Sequence, residues 1–150
     1  MPRVHRGLVD IFRRLAAGKA PWPLYLHGPA GSGKTCAALA LCDFADTAGY
    51  WTVESLCDQQ LAGQADWEAV ANKALAVLDE LGERERPGDL HHTVVKRFLD
   101  AREIHAGRMG IYISNLKPSD LSKLYDDRVC SRVLCGARFE LQDEDRRKAK

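Results

Sequence analysis

The stretch "YLHGPAGSGKTCAALAL" at positions 25–41 places three glycines, a lysine and a threonine between an apolar segment and an alanine-rich run. The apolar segment predicts a short buried strand that ends at glycine, and the alanine-rich run predicts a helix over 33–47. Between them, Gly28, Gly33, Lys34 and Thr35 fit the spacing G-x-x-x-x-G-K-[ST], in the strand, loop and helix context that this spacing requires. The stretch therefore indicates a loop that holds phosphate groups.

The loop contains the residue types that phosphate binding needs. Gly28, Gly31 and Gly33 permit backbone conformations in which successive N–H groups point inward at phosphate oxygens. We expect Lys34 to contact the β- and γ-phosphates and the Thr35 hydroxyl to take a magnesium position. A glycine-rich turn that only starts a helix is the alternative, but it has no need for lysine and threonine at these offsets. The residues predicted around the nucleotide are Gly28, Pro29, Ala30, Gly31, Ser32, Gly33, Lys34, Thr35 and Cys36.

The rest of the chain alternates between helical and strand patterns, without an internal repeat. Strands separated by helices predict an α/β domain with a parallel sheet and helices on both faces, and the length favours a single domain over 1–150. We predict a helix within 1–20, strands at 24–28, 50–56, 74–78, 110–115 and 137–141, a helix over 89–107, one or two helices over 118–134, and a charged tail over 142–150.

Composition excludes several classes of protein and names no partner. Hydrophobic residues at 45%, charged residues at 29% and a formal net charge of +1 are ordinary for a globular protein. The five cysteines include no C-x-x-C pair, which argues against a disulfide framework or a zinc site. No apolar run approaches the ~18 residues of a membrane span, and the amino terminus lacks the apolar core of a signal peptide. We therefore expect a cytoplasmic protein that has no membrane partner.

Two acidic residues follow a segment whose pattern is ambiguous. Between Asp66 and Leu81 the apolar residues keep helical spacing, but "ALAVL" is equally typical of a buried parallel strand. The phosphate loop favours the strand, because Asp79 would then emerge at its carboxyl end near magnesium. Glu80 could then act as general base for an attacking water. The alternative is a continuing amphipathic helix with both acids in solvent.

Three further polar residues are candidates for catalysis. Asn115 follows "GIYIS", where its amide could hydrogen-bond the γ-phosphate or the attacking water, although an asparagine there usually makes a turn. Arg128 and Arg132 are four apart on a predicted helix and so share a face. Such a pair usually lies in solvent or pairs with Asp126 or Asp127. An enzyme with this loop can instead use such an arginine on a neighbouring subunit.

Taken together, four segments resemble the AAA+ ATPases of the DnaC/IstB kind in order and approximate spacing: "LHGPAGSGKT", "LAVLDELG", "IYISNL" and "DDRVCSRVL". The resemblance covers about residues 24–141. It implies a P-loop NTPase fold with three layers around a five-stranded parallel sheet, and no carboxyl-terminal helical lid. It also implies ATP and Mg²⁺ as ligands, with Thr35 and Asp79 on the metal, and hydrolysis of ATP to ADP and phosphate.

The resemblance further implies roles for the residues at matching positions. Asp79 and Glu80 form the second acidic motif, and Asn115 is the sensor at its strand end. Arg132 looks like an arginine finger that acts in trans, and Arg128 would be a second basic group at the same subunit boundary. Members of this family form open spirals or rings of identical subunits on single-stranded or duplex DNA. They load replicative helicases or assist transposases.

The residues leave several functions open. A small P-loop kinase, or an adaptor that binds nucleotide without hydrolysing it, would also need the phosphate loop, and the choice between a helicase and a transposase as partner stays open. Basic residues could neutralise DNA phosphates, or could form a solvated face mixed with acids. These basic residues are Lys73, Arg84, Arg86, Lys96, Arg97 and the tail "RRKAK".

Overall fold

A single parallel sheet lies at the centre of the computed structural model, which describes residues 6–83, 88–105 and 109–142. Within these ranges the five strands follow the order β2-β3-β4-β1-β5, and each neighbouring pair is parallel. The predicted five-stranded parallel sheet is thus confirmed. The strands are β1 (Leu24–His27), β2 (Ala48–Thr52), β3 (Leu75–Asp79), β4 (Met109–Ser114) and β5 (Ala137–Glu140).

Helices cover both faces of the sheet, so the molecule has three layers. Successive strand residues point to opposite faces: Leu24 and Leu26 join a hydrophobic cluster with α1 and α2, whereas Tyr25 joins a second cluster with α3, α4, α5 and α7. Among the described residues, no helix is both long and apolar enough to cross a bilayer. The helices are α1 (Arg6–Ala16), α2 (Lys34–Cys42), α3 (Val53–Leu61), α4 (Trp67–Asn72), α5 (Asp89–Glu103), α6 (Pro118–Leu121) and α7 (Asp127–Leu134).

The helix predicted over 33–47 ends early, at Cys42. Thr47 is already part of the connection to the sheet. Its carbonyl oxygen accepts a hydrogen bond from the Leu75 amide at 3.0 Å, and its hydroxyl accepts one from the Ala74 amide at 2.8 Å. The hydrogen bonds of Thr47 to the start of β3 therefore compete with a longer α2. The sequence of 33–47 alone does not indicate this partner, because β3 lies far along the chain.

The strand predicted over 50–56 is wrong beyond Thr52, where α3 begins. Thr52 is the N-cap of this helix: its hydroxyl accepts the Ser55 amide at 3.0 Å, and the Ser55 hydroxyl accepts the Thr52 amide at 3.2 Å. This reciprocal capping satisfies two amides that the helix leaves without internal partners. The β-branched and aromatic residues of "YWTV" favour a strand, so the sequence pattern did not indicate a helix cap at Thr52.

The helix and the strand that the sequence allows between Asp66 and Leu81 are both present, one after the other. Asp66 caps the short helix α4 through its side chain, which accepts the Ala69 amide at 3.0 Å. The strand β3 follows at Leu75–Asp79, close to the predicted 74–78. All five of its residues are buried, as expected for an inner parallel strand.

Arg102, buried near the end of α5, ties α4 and two strands together. Its guanidinium donates to the carbonyl oxygens of Val70 and Lys73 at 2.8 and 2.7 Å, and to those of Ala74 and Met109 at 3.3 and 2.7 Å. Arg102→Met should lower the free energy of unfolding by about 3 kcal/mol, because buried carbonyl oxygens lose a charged donor. Urea denaturation followed by circular dichroism measures this change.

Arg128→Met is the matched control for Arg102→Met. Arg128 is exposed, and within the described ranges no side-chain hydrogen bond or ion pair involves it. We expect this control to change the free energy of unfolding by less than about 0.5 kcal/mol. Equal urea midpoints for Arg102→Met and the wild type would contradict the proposed role of Arg102.

Candidate active site

The predicted polar residues gather at the carboxyl edge of the sheet. Strand β4 lies between β1 and β3, so the segments that leave these three strands are neighbours. The loop at 28–33 follows β1, Asp79 and Glu80 lie at the end of β3, and Asn115 follows β4. Ligands of open α/β sheets bind at this edge, and the topology brings the loop, both acids and the asparagine to it.

Positive φ angles shape the glycine loop as the motif requires. Gly28, Gly31 and Gly33 have φ angles of 153°, 81° and 90°. At Gly28 a Cβ atom would lie 2.1 Å from the carbonyl oxygen of Leu141, so no other residue fits there without backbone movement. The glycine at this position therefore serves close packing under β5 as well as the turn itself.

Lys34 curls back over the loop. Its Nζ donates to the carbonyl oxygens of Gly28 and Pro29, both at 2.8 Å, and to the Ser32 hydroxyl at 3.3 Å. Burial lowers the pKa of the Lys34 amine, and the charges of Asp79 and Glu83 oppose that shift. These hydrogen bonds hold a buried ammonium among neutral oxygens at a site where phosphate oxygens would be stronger acceptors.

The amino end of α2 also fits a bound anion. This nine-residue helix begins at Lys34, and no side chain caps it. The first-turn amides, including those of Thr35 and Cys36, have no acceptor inside the helix. A helix start of this kind attracts phosphate through its amides and its dipole, and it lies where the sequence predicts the nucleotide contacts.

The Asp79 carboxylate joins three elements. Its Oδ2 atom accepts hydrogen bonds from the Thr35 hydroxyl at 2.5 Å and from the Tyr50 hydroxyl at 2.6 Å, while Oδ1 accepts the Glu80 amide at 2.6 Å. Mg²⁺ commonly takes one or two protein oxygens and completes its shell with phosphate and water oxygens. A threonine hydroxyl next to a buried carboxylate fits that requirement, as the sequence predicts for Thr35 and Asp79.

Glu80 has an unusual backbone conformation. Its φ angle is 60°, and no other described residue besides glycines has a positive φ. Burial raises the pKa of the Glu80 carboxyl group, and the negative charges of Glu83, Asp79 and Glu54 raise it further. Non-glycine residues in this region of φ carry strain and are concentrated at functional sites, and a raised pKa makes a carboxylate a stronger base.

Asn115 lies at the same edge but turns toward a neighbouring acid. Its amide donates to the Glu83 carboxylate at 3.4 Å, and the side chain is exposed. Ser114, just before it, donates to the Leu81 carbonyl oxygen at 2.6 Å and accepts the Leu116 amide at 3.0 Å. The turn after β4 is thus fixed against the segment after β3, which keeps Asn115 beside Glu83.

Arg132 lies away from this edge. It lines a cavity of about 220 Å³ together with Trp22, Pro23 and Gly110, which are at the amino ends of β1 and β4. The strand between Pro23 and Gly28 spans about 16 Å at roughly 3.3 Å per residue. Arg132 is therefore remote from the phosphate loop of its own chain.

Two carboxylates on α5 hold the Arg132 side chain. Its Nη2 donates to Asp100 and its Nε donates to Glu103, both at 2.8 Å. The alternative in which the arginine pair binds Asp126 or Asp127 is wrong for Arg132, which pairs with Asp100 and Glu103 instead, while Asp126 pairs with Lys96 at 2.9 Å. Arg128, one turn earlier, is exposed. The spacing of Arg128 and Arg132 predicted that they share a face of α7. It could not predict Asp100 and Glu103 as partners, because these acids are 32 and 29 residues away along the chain.

Two features of the site were missed from the sequence. Tyr50 lies on β2, and only the sheet order, which makes β2 the neighbour of β3, brings it to Asp79. His91, at the start of α5, has its Nε2 atom 2.9 Å from the Glu54 carboxylate, and its side chain is only 12% exposed. Both belong to the surroundings of the acidic pair, since Tyr50 donates to Asp79, while His91 lines one small cavity with Glu54 and Glu80.

Solved structures share the fold of this chain. DnaA from Aquifex aeolicus bound to AMPPCP matches with a TM-score of 0.73 and 16% identity over 94% of this chain and 47% of that chain. A replication initiator DnaA bound to AMPPCP and single-stranded DNA matches with a TM-score of 0.72 and 17% identity, with the same coverage of 94% and 47%. A DnaC helicase loader matches with a TM-score of 0.69 and 19% identity over 91% of this chain and 88% of that one.

The likeness of this chain to known proteins is one of three-dimensional structure. No protein-family model and no curated protein sequence matches the chain. The chain spans about half the length of the DnaA structures and most of the DnaC structure. At these identities the likeness is one of fold. The chain therefore shares its fold with DnaA and with the DnaC helicase loader, which confirms the resemblance to the DnaC kind at the level of fold.

Proposed function

We propose that this chain binds Mg-ATP at the carboxyl edge of its sheet and hydrolyses it. The observation that carries this proposal is the convergence of Lys34, Thr35 and Asp79 on one loop and helix start. A solved neighbour with the same fold holds AMPPCP, an ATP analogue. Lys34 would turn from the loop carbonyl oxygens to the phosphates, and the amides after Gly33 would cradle them.

The acidic pair and the asparagine supply the hydrolytic groups. Mg²⁺, held by Thr35 and Asp79, would offset phosphate charge when bound. Glu80 accepts a proton from the attacking water as the water oxygen bonds to the γ-phosphorus and the bond to the β-γ bridging oxygen breaks. Asn115 orients that water or the γ-phosphate by its amide. The strain and raised pKa of Glu80 support its role as the base.

We further propose that Arg132 acts on the nucleotide of a neighbouring copy. Arg132 lies beside Pro23 and Gly110, at the opposite end of the strands from its own loop. A ring or spiral of identical subunits would place that end against the next subunit's nucleotide. There the guanidinium would stabilise charge on the transferred phosphoryl group, and Arg128, exposed one turn away, would add a second positive charge.

The working context we propose is DNA replication, with a helicase-loader-like role. Solved structures of the same fold include a DnaC helicase loader and a DnaA bound to single-stranded DNA. A role as a transposition helper is the alternative within the same class. Of the basic residues considered for DNA, Lys96 pairs with Asp126 and Arg97 lies 5.0 Å from the Trp67 ring centre. Arg84, Arg86 and the tail lie outside the described residues.

Lys34→Ala should weaken Mg-ATP binding by about 100-fold, since the loss of a charged hydrogen-bonding group costs roughly 3 kcal/mol. Isothermal titration calorimetry measures the affinity. A matched control is Lys123→Ala, because Lys123 is an exposed lysine that pairs only with Asp120 among the described residues. Equal affinities for Lys34→Ala and the wild type would contradict the proposed nucleotide site.

The same pair of proteins tests turnover and assembly. ATP hydrolysis is measured with and without single-stranded DNA over a range of protein concentrations. Specific activity of the wild type and of Lys123→Ala should rise with concentration, because a site completed by a neighbour needs assembly. Lys34→Ala should stay inactive throughout. Tight ATP binding by the wild type without turnover, even with DNA, would favour a nucleotide-dependent adaptor over an ATPase.

A further inference from the structure

The phenol of Tyr50 reaches the proposed magnesium site from the edge strand of the sheet. Tyr50 is paired in register with Val77, and Val77 belongs to the hydrophobic cluster on the side of the sheet that α2 covers. The Tyr50 side chain lies on that side and donates to Asp79 Oδ2 at 2.6 Å. Thr35, at the start of α2, donates to the same oxygen atom at 2.5 Å.

We propose that Tyr50 is a positioning residue for the bound metal ion, acting through Asp79. This inference rests on the proposed function, since it concerns the Mg²⁺ that Thr35 and Asp79 would hold. Tyr50 is absent from the phosphate-binding motif and from the acidic motif. It joins the site because β2 is hydrogen-bonded to β3.

Asp79 needs a supporting group besides Thr35 and the Glu80 amide because its carboxylate can rotate. Rotation about the last bond of an aspartate side chain is soft, so an unsupported carboxylate samples a wide range of orientations. Backbone donation from Glu80 fixes Oδ1, and Tyr50 fixes Oδ2 from a separate strand. These two hydrogen bonds fix the orientation of the Asp79 carboxylate plane before a cation binds.

Tyr50 also leaves Thr35 available to the metal. The Thr35 hydroxyl donates its single proton to Asp79, so its oxygen lone pairs remain for a cation. Because Tyr50 donates to the same Asp79 oxygen, the carboxylate keeps a hydrogen-bond partner even while Thr35 adjusts to the metal. Groups that support metal ligands in this way typically change metal affinity by about 10- to 100-fold when they are removed.

Tyr50→Phe tests the role because it removes only the hydroxyl group. A fluorescent ATP analogue is titrated first in EDTA and then at increasing Mg²⁺, which separates nucleotide affinity from the Mg²⁺ dependence of binding. The Mg²⁺ midpoint is the Mg²⁺ concentration at which the Mg²⁺-dependent part of nucleotide binding is half-maximal. We expect this midpoint to rise by about tenfold or more in Tyr50→Phe, while the affinity for the nucleotide in EDTA stays unchanged. Tyr112→Phe is the matched control: it makes the same change on β4, beside the cavity that Arg132 lines, and should leave both values unaltered.

A double-mutant cycle keeps the test independent of general destabilisation. If Tyr50 acts through Asp79, then Tyr50→Phe should have no further effect on the Mg²⁺ midpoint in an Asp79→Asn background. Additive effects of the two substitutions would overturn the inference. An equal loss of affinity in EDTA and in Mg²⁺ would also overturn it, since the Tyr50 hydroxyl would then serve the nucleotide pocket and not the metal site.

The outcome separates this inference from the proposed function. An unchanged Mg²⁺ midpoint for Tyr50→Phe, with Mg²⁺-dependent binding by the wild type, would overturn the role of Tyr50 and leave the proposed function standing. Absence of Mg²⁺-dependent nucleotide binding by the wild type would overturn the proposed function and, with it, the role of Tyr50.

Discussion

Arg132→Ala should lower the rate constant for ATP hydrolysis by about 10³- to 10⁵-fold and leave the affinity for Mg-ATP unchanged. The guanidinium would meet charge that develops only as the phosphoryl group transfers, so its loss affects the transition state more than the bound state. Steady-state hydrolysis at saturating ATP and calorimetric titration of Mg-ATP measure the two quantities. The position of Arg132, at the opposite end of β1 from its own loop, is the reason to expect a neighbour's site to be affected.

Arg138→Ala controls for the loss of an exposed arginine. Arg138 lies on β5, and its side chain makes one long hydrogen bond within the described ranges, to the Leu134 carbonyl oxygen at 3.4 Å. Hydrolysis by this variant should match the wild type. Because Arg132 also binds Asp100 and Glu103, circular dichroism is needed to show that Arg132→Ala remains folded. A folded Arg132→Ala protein with wild-type turnover would rule out the finger.

Glu80→Gln should lower the hydrolysis rate constant by about 10²- to 10⁴-fold, because glutamine has the shape of glutamate but takes no proton from water. ATP binding should persist, so chromatography of the protein-bound nucleotide should find uncleaved ATP. Glu83→Gln is the matched control. Glu83 lies near Glu80 and accepts a hydrogen bond from Asn115, but it is exposed. Equal losses in both variants would contradict a specific role for Glu80 as the base.

Mixing the two inactive proteins tests whether the finger acts in trans. A subunit with Arg132→Ala keeps Glu80, and a subunit with Glu80→Gln keeps Arg132. In a ring or spiral with random mixing, about a quarter of the interfaces would pair an intact base with an intact finger. Hydrolysis should therefore return in the mixture. An inactive mixture, with assembly verified by size-exclusion chromatography, would leave the trans arrangement without support.

The part of the site that follows one continuous stretch was predictable from sequence. The loop from Gly28 to Thr35 has its strand, its glycines and its helix within eighteen residues, 24–41, so local spacing defines its chemistry. Asp79 was predictable for a related reason, since a metal ion beside a phosphate loop calls for a carboxylate, and the carboxyl end of another parallel strand can place one there. Both inferences depend on the topology of parallel sheets, which brings carboxyl ends together.

The remainder depended on contacts between distant segments. Tyr50 meets Asp79 across a strand pairing, and Arg132 meets Asp100 and Glu103 across two helices. No spacing along the chain encodes those partners. The helix α3 was missed for a different reason, because the cap at Thr52 uses a β-branched residue that is equally common in strands. Local propensity was the weaker signal wherever a cap or a tertiary partner decided the conformation.

The end of the last strand rests directly on the phosphate loop. The Leu141 amide donates to the His27 carbonyl oxygen at 2.8 Å, and the Leu141 carbonyl oxygen lies where a side chain on Gly28 would begin. A shift of Leu141 would thus act on the last residue of β1 and on Gly28, the first residue of the proposed phosphate loop. Any displacement of the backbone at Leu141 would therefore change the shape of the proposed phosphate loop at its first glycine.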